Sequence, residues 1–147
     1  FLLGGAGWDD KATSANVRRL GHVGTADHNA FNRSAMAVLN VSRDSMAAVG
    51  FSPATRVFEA AGAGACLITD AWEGVELFLA PDEEILVARD GEDVADILRG
   101  LDPARARAIG EAARRRVLGE HTYARRAAEA DQLIRARLAA RRERSVA

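Results

Sequence analysis

Gly50-Phe51-Ser52-Pro53-Ala54-Thr55-Arg56-Val57-Phe58-Glu59-Ala60-Ala61-Gly62-Ala63-Gly64-Ala65-Cys66-Leu67-Ile68-Thr69-Asp70 reads as loop, helix, tight turn and strand. Ser52 is a capping residue type, and Pro53 suits a first helical position, where its missing N–H costs nothing. Gly62 and Gly64 can stop the helix, because glycine tolerates positive φ. Residues 65–68 are a short apolar run, as expected of a parallel strand buried on both faces. A helix that starts in a loop turns free N–H groups and a positive dipole end toward whatever lies above it, which suits a phosphate. Arg56 and Glu59 are three residues apart and share one face of this helix. The arginine fork matches a diphosphate, and a carboxylate accepts from both hydroxyls of a ribose diol. The same spacing also suits an ordinary surface ion pair, which contributes little.

Outward from this stretch, strands and helices alternate. Phe1-Leu2-Leu3 runs into the turn Gly4-Gly5-Ala6-Gly7-Trp8. Gly5-x-Gly7 lacks the third glycine and following apolar helix of a dinucleotide fingerprint. Residues 17–23 form a second strand that ends in a loop. Residues 26–34 form a short helix with Ala30, Phe31 and Ala35 inward. Residues 37–41 are a third strand, and 42–49 a loop with room for a helical turn. After the central helix and strand, 72–79 give a short helical turn, and 84–88 a fifth strand. Residues 90–101 are amphipathic, with Val94, Ile97, Leu98 and Leu101 on one stripe and Asp90 or Asp93 at the start. Asp102-Pro103 caps and opens the next helix, whose stripe is Ile109, Ala113 and Val117 and which Gly119 can end. Thr122 can cap a last helix with Tyr123, Ala127, Ala130, Ile134 and Leu138 on one face; residues 141–147 are expected to fray.

Strands that read as continuous apolar runs between helices predict a Rossmann-like, doubly wound parallel α/β sheet of about five strands with C-terminal helices. Ligands of such sheets sit beyond the carboxyl ends of the strands. The glycine-rich or polar loops all follow strands: Gly4 to Gly7, Gly21-His22, Ser42 to Gly50, and Thr69 to Gly74. They therefore gather along one edge.

Composition narrows the function classes. The 147 residues suit one domain, and 48% hydrophobic with 28% charged residues is ordinary for a water-soluble globular chain. No run approaches a membrane span, no signal sequence opens the chain, and the single Cys66 excludes an internal disulfide and suits a cytoplasmic setting. In the buried strand, Cys66 reads as a small core residue. Residues 1–102 carry 8 basic and 16 acidic groups, and 103–147 carry 12 and 5. The basic tail reads as solvated helices. It holds a single aromatic, Tyr123, so a nucleic-acid stacking platform is not supported, and contact with a membrane surface is not supported either. His22, His28 and His121 are scattered without metal-ligand spacing; no metal or other cofactor is expected. His28 and His121 read as surface or capping residues, whereas His22 ends a strand on the loop edge. Asp70 and Glu73 can reach the cleft, or serve as turn former and helix-start acid.

The order of pieces resembles a known family. Asn16-Val17-Arg18-Arg19-Leu20-Gly21-His22-Val23, the short helix with Phe31, Val38 to Ser42, and Glu59-Ala60-Ala61-Gly62-Ala63-Gly64-Ala65 with Thr69-Asp70 and Glu73-Gly74 resemble the nucleotide-sugar-binding half of group 1 glycosyltransferases of the GT-B fold. Ala112-Ala113-Arg114-Arg115-Arg116-Val117-Leu118-Gly119-Glu120-His121-Thr122-Tyr123 is similar to that family's ending. Ser52-Pro53 followed by Arg56-Val57-Phe58-Glu59 is closest to its spore-maturation-protein-like branch.

The resemblance implies two Rossmann-like domains with the active site between them and the nucleoside-diphosphate sugar donor on the C-terminal one. It identifies this chain with that C-terminal domain, without its first strand–helix unit and without the acceptor domain, and so inactive alone. By the resemblance Glu59 binds the donor ribose. Ser52, Thr55 and Arg56 lie where the diphosphate approaches, His22 and Val23 where the base is contacted, and Gly4, Gly5 and Gly7 in the first donor-side loop. The family often has a second glutamate eight positions before the ribose-binding one; Phe51 stands there. Arg43 or Asp44 of the same loop are the replacements at hand, with Asp70 near the cleft. Two other readings use the same fold: a nucleotide-sugar epimerase, and a non-catalytic structural or interaction module with a degenerate donor site.

Overall fold

The computed structural model describes residues 1–146. Its strands are β1 Leu2–Gly4, β2 Arg18–Gly21, β3 Val38–Asn40, β4 Leu67–Asp70 and β5 Leu86–Ala88. Its helices are α1 His28–Ser34, α2 Asp44–Val49, α3 Thr55–Ala63, α4 Gly91–Gly100, α5 Pro103–Glu120 and α6 Tyr123–Val146. Short 3₁₀ turns at Thr25–Asp27 and Val75–Leu77 complete the pattern. All strand pairs are parallel, and the five strands divide into two ladders, β1–β2 and β3–β4–β5. The division follows composition. β2 carries Arg18 and Arg19 and is exposed along its length, whereas β4 is buried at Leu67, Ile68 and Thr69.

The three-stranded ladder is wound on both faces. Leu67 and Ile85 face Val57, Ala60 and Ala61 of α3 and Ala113 and Val117 of α5. The alternate residues Cys66, Ile68, Leu86 and Ala88 face Ala106 and Ile109 of α5, Leu101, and Val94 and Ile97 of α4. This is the period-two alternation of a strand buried on both sides. Burial pushes the Cys66 thiol up to about 11, with the Arg105 charge pulling more weakly the other way.

Gly64, not Gly62, ends α3. It takes a left-handed conformation (φ 80°, ψ 28°), and the Ala65 N–H returns to the Ala60 carbonyl at 3.0 Å, a Schellman closure. Gly62 stays inside the helix. At the other end, Ser52 does not cap and Pro53 is not the first helical residue. Ala54 is the N-cap, extended at ψ 148°, with no side-chain cap bond. The cause lies just upstream. Gly50 and Phe51 both have positive φ, and the Phe51 N–H donates to the Glu73 carbonyl at 2.7 Å, so the loop is held away from helical geometry until Thr55.

Asp90 caps α4 by accepting from Glu92 and Asp93 N–H groups, both at 2.9 Å, while Asp93 instead pairs with Arg89. The Arg89 hydrogen bonds hold the Asp93 carboxyl down at about 2. Asp102 caps α5 as its sequence predicts. α5 continues through Gly119 to Glu120 and is closed by His121, whose N–H reaches the Val117 carbonyl at 2.9 Å. α6 runs helical through Val146; Ala147 lies outside the described residues. The apolar face of α6 is uncovered in this chain, with Tyr123 91% exposed and Ile134 and Leu138 exposed as well. No helix among the described residues is long and apolar enough to cross a membrane.

One contact sets how α5 lies. A Cβ at Gly110 would collide with the Gly64 carbonyl oxygen and stand 2.9 Å from the backbone carbonyl carbons of Gly64 and Ala65. No flexible side chain can yield there. Gly110→Ala is therefore expected to cost about 3 kcal/mol in urea unfolding, whereas Gly119→Ala, with open space around it, gains about 0.5–1 kcal/mol from helix propensity. Equal stabilities of the two variants would contradict this packing. Cys66 should resist a thiol reagent at pH 8 until urea unfolds the chain. Its share of stability is intact below the ordinary thiol value of 9.0 and is lost as pH climbs to about 11. Rapid stoichiometric labelling of the folded protein would contradict its burial.

Candidate functional site: a cavity between the two ladders

A cavity of about 680 Å³ opens where β1 and β3 face each other. Its walls come from β1 and the loop after it, from the loop after β2, from α1, and from the first turns of α3. Gly5, His22, Val23, Thr55, Arg56 and Glu59 of the sequence-predicted residues all line it. Gly7, Arg43, Ser52 and Asp70 do not.

α1 packs against α3 and brings the face His28, Phe31, Asn32 and Ala35 to the cavity, at spacings of three, one and three. Ala30, predicted inward, is exposed instead. His28 is not a surface residue: it is half-buried, and its Nε2–H donates to the Val23 carbonyl at 3.1 Å, tying α1 to the loop after β2. β1 meets α1 closely, for a Cβ at Gly4 would lie 2.8 Å from Val23 Cγ2 and 3.2 Å from the Phe31 ring. Sequence reading placed Phe31 inward, as found, but passed over Asn32 and His28 as wall residues. The i, i+3, i+4, i+7 series from His28 to Ala35 is the pattern that marks them.

Arg56 and Glu59 are exposed on α3. The ion pair that their spacing allows is not formed; neither side chain has a hydrogen-bond or ion-pair partner among the described residues. A free guanidinium and a free carboxylate thus share a cavity wall with the α3 N-terminus.

Beside the cavity, the carboxyl ends of β3 and β4 are tied by a polar knot. Thr69 Oγ1 accepts from Asn40 Nδ2 at 3.1 Å and Trp72 Nε1 at 3.4 Å, and donates to Asp70 Oδ1 at 3.2 Å. The same Asp70 oxygen accepts from the Ser42 N–H at 2.9 Å and hydroxyl at 3.1 Å. Asp70 thus closes a turn. Phe51, at the position where the resembled family often has an acid, has φ 52° and lays its ring over Gly74, where a Cβ would approach ring carbon Cε1 to 2.8 Å. Glu73 stands next to this loop, its Oε2 3.5 Å from where a Gly50 Cβ would be. His121 is a helix cap, its Nδ1 accepting from Arg126 at 2.8 Å and its Nε2–H donating to the Phe78 carbonyl at 2.9 Å.

The comparisons with known proteins bear on the family and the fold. A family profile described as "Glycosyl transferase-like" matches residues 1–132. The chain belongs to this glycosyl transferase-like family. Among solved structures, sucrose-phosphate synthase from Thermosynechococcus elongatus is similar, with a TM-score of 0.66 and 24% sequence identity. The match covers 84% of this chain and 31% of that one, so this glycosyl transferase-like chain spans about a third of that protein's length. The likeness carries the fold: an α/β domain like one half of a GT-B glycosyltransferase. No curated protein matches the sequence.

Thr69→Val keeps shape and removes the hub of the knot. The Asn40 and Trp72 N–H groups then stay buried without acceptors, so the variant should lose about 2–4 kcal/mol by chemical denaturation. A loss under about 0.5 kcal/mol would mean the knot does not hold the strand ends.

Proposed function

We propose that this chain is the donor-binding domain of a GT-B glycosyltransferase of the spore-maturation-protein-like branch, and that its cavity receives a nucleoside-diphosphate sugar. One observation carries the reading. An unpaired carboxylate and an unpaired guanidinium stand three residues apart at the start of α3, on the wall of a cavity that also takes in the loops after β1 and β2. Glu59 accepts from the ribose hydroxyls. Arg56, Thr55 and the free N–H groups of α3 take the diphosphate, and His22 and Val23 flank the base. The volume suits a ligand of that size.

In glycosyl transfer the bond from the sugar to the diphosphate breaks, and negative charge develops on the departing phosphate. Arg56 and the α3 dipole end stabilise that charge, which is where such stabilisation lowers a barrier. No resident cofactor is part of this reading. The acceptor and the remaining catalytic groups belong to another domain of the same protein, so the domain alone does not turn over, and its setting is cytoplasmic. Phe51 favours a second reading, a donor-binding module without transferase activity, because an aromatic packed over Gly74 supplies no acid to the sugar.

Calorimetric titration of the full-length protein with UDP, GDP, ADP and TDP tests the reading. One diphosphate should bind, and Glu59→Ala and Arg56→Ala should each weaken it about 10-fold or more, the loss of a charged hydrogen bond. Absence of binding by all four, or unchanged affinity in both variants, would overturn it. Binding without transfer to any acceptor would favour the second reading.

A further inference from the structure

Asn32 is a polar residue of the cavity wall that is mostly buried as a whole, at 8% exposed, and whose carboxamide is left without a partner among the described residues. Its amide atoms still reach solvent, so a ligand in the cavity can reach them as well. Asn40, the other buried asparagine, is sealed inside the polar knot at the closed end of β3, where its Nδ2 donates to Thr69 and its Oδ1 has no partner among the described residues. Asn32 has no such structural task. Its neighbours on α1 do: His28 is fixed by the Val23 carbonyl, and the Phe31 ring packs against the end of β1. α1 thus holds the amide in place without using it.

The chemistry of the amide narrows what it can read. A carboxamide presents a donor and an acceptor side by side in one plane. A phosphate offers acceptors only, and a sugar hydroxyl has no planar edge. A nucleobase edge carries a ring or exocyclic donor beside an acceptor, which is the complement, as asparagine shows in pairing with bases in duplex recognition. The cavity wall is also right for a flat heterocycle, since Phe31, Trp8 and His22 line it as well. The charged groups, Arg56 and Glu59, stand on α3 instead.

We propose that Asn32 is the residue that determines which nucleobase the cavity accepts, its carboxamide pairing with the donor–acceptor edge of the base. This rests on the donor-binding reading above and deepens it. A site that hydrogen-bonds an edge rejects bases that leave the amide unpaired, so the effect appears in discrimination between bases.

The test is calorimetry on the full-length protein with UDP, CDP, GDP and ADP, comparing wild type, Asn32→Asp, Asn32→Ala and Glu59→Ala. Asn32→Asp keeps the shape and turns the donor into an acceptor. Asn32→Asp and Asn32→Ala should each change the affinity ratio between the best and next-best base by about 10-fold or more, one good pair of hydrogen bonds. Glu59→Ala should lower all four affinities while leaving that ratio within about twofold, since every ribose is alike. On wild type, the preferred diphosphate methylated on the donor nitrogen of its base edge should lose about as much, and Asn32→Ala should add nothing to that loss. If wild type binds one diphosphate and the Asn32 variants keep its base ratio, Asn32 does not read the base and the donor reading survives alone. If the methylated ligand binds wild type as well as its parent does, the proposal also fails, whatever the variants do. If wild type binds none of the four and does not bind TDP either, both readings fall together.

Discussion

The absent side chain at Gly110 is the constraint on which the rest of the structure depends. It lets α5 rest on the Gly64–Ala65 backbone at the turn from α3 into β4. From that seat α5 reaches both faces of the three-stranded ladder, with Ala106 and Ile109 in one cluster and Ala113 and Val117 in the other. Dispersion and apolar burial act only at close range, so a helix held off by one methyl group would forfeit much of both clusters. The same seat fixes the C-terminal end of α3. Because α3 is a rigid rod of nine residues, its N-terminal turns, and with them Arg56 and Glu59, are placed by a contact at its opposite end.

The other end of α3 is set by polar rather than apolar forces. Asp70, Thr69 and Ser42 tie the carboxyl ends of β3 and β4, and the Phe51 N–H ties the following loop to Glu73. A loop that leaves a strand with its polar groups satisfied has little freedom, and two successive residues at positive φ hold its direction. The consequence for the site is a helix start that is defined by the loop before it and not by a cap. That leaves the first N–H groups of α3 without a side-chain partner, the arrangement that an anion can use.

Much of this was legible in the sequence, and the exceptions have physical reasons. Strands β4 and β5 and the stripe of α5 follow from apolar runs and spacing, and Asp90, Asp102 and Gly64 from local backbone chemistry, because each depends on near neighbours in the chain. The helix start at Thr55 instead of Pro53 depends on Glu73, some twenty positions away, and no local rule sees that. The inward face of α1 was misjudged because a seven-residue helix gives two turns of pattern, and Ala30 beside Phe31 suggested a different stripe. Asn32 was passed over for a related reason: a polar residue next to an apolar face reads as the edge of that face until the partner helix is in place. That Glu59 and Arg56 share one face, which the structure puts on the cavity wall, could be read because the helix is long enough for spacing to carry meaning.

A crystal structure of the full-length protein with its tightest-binding nucleoside diphosphate would address the central claim most directly. The ligand should lie in the cavity between β1, α1 and α3, with the ribose hydroxyls in hydrogen-bond reach of Glu59 and the phosphates at Arg56 and the start of α3. A diphosphate bound elsewhere on the protein, or one in the cavity that leaves both Glu59 and Arg56 without contact, would contradict it.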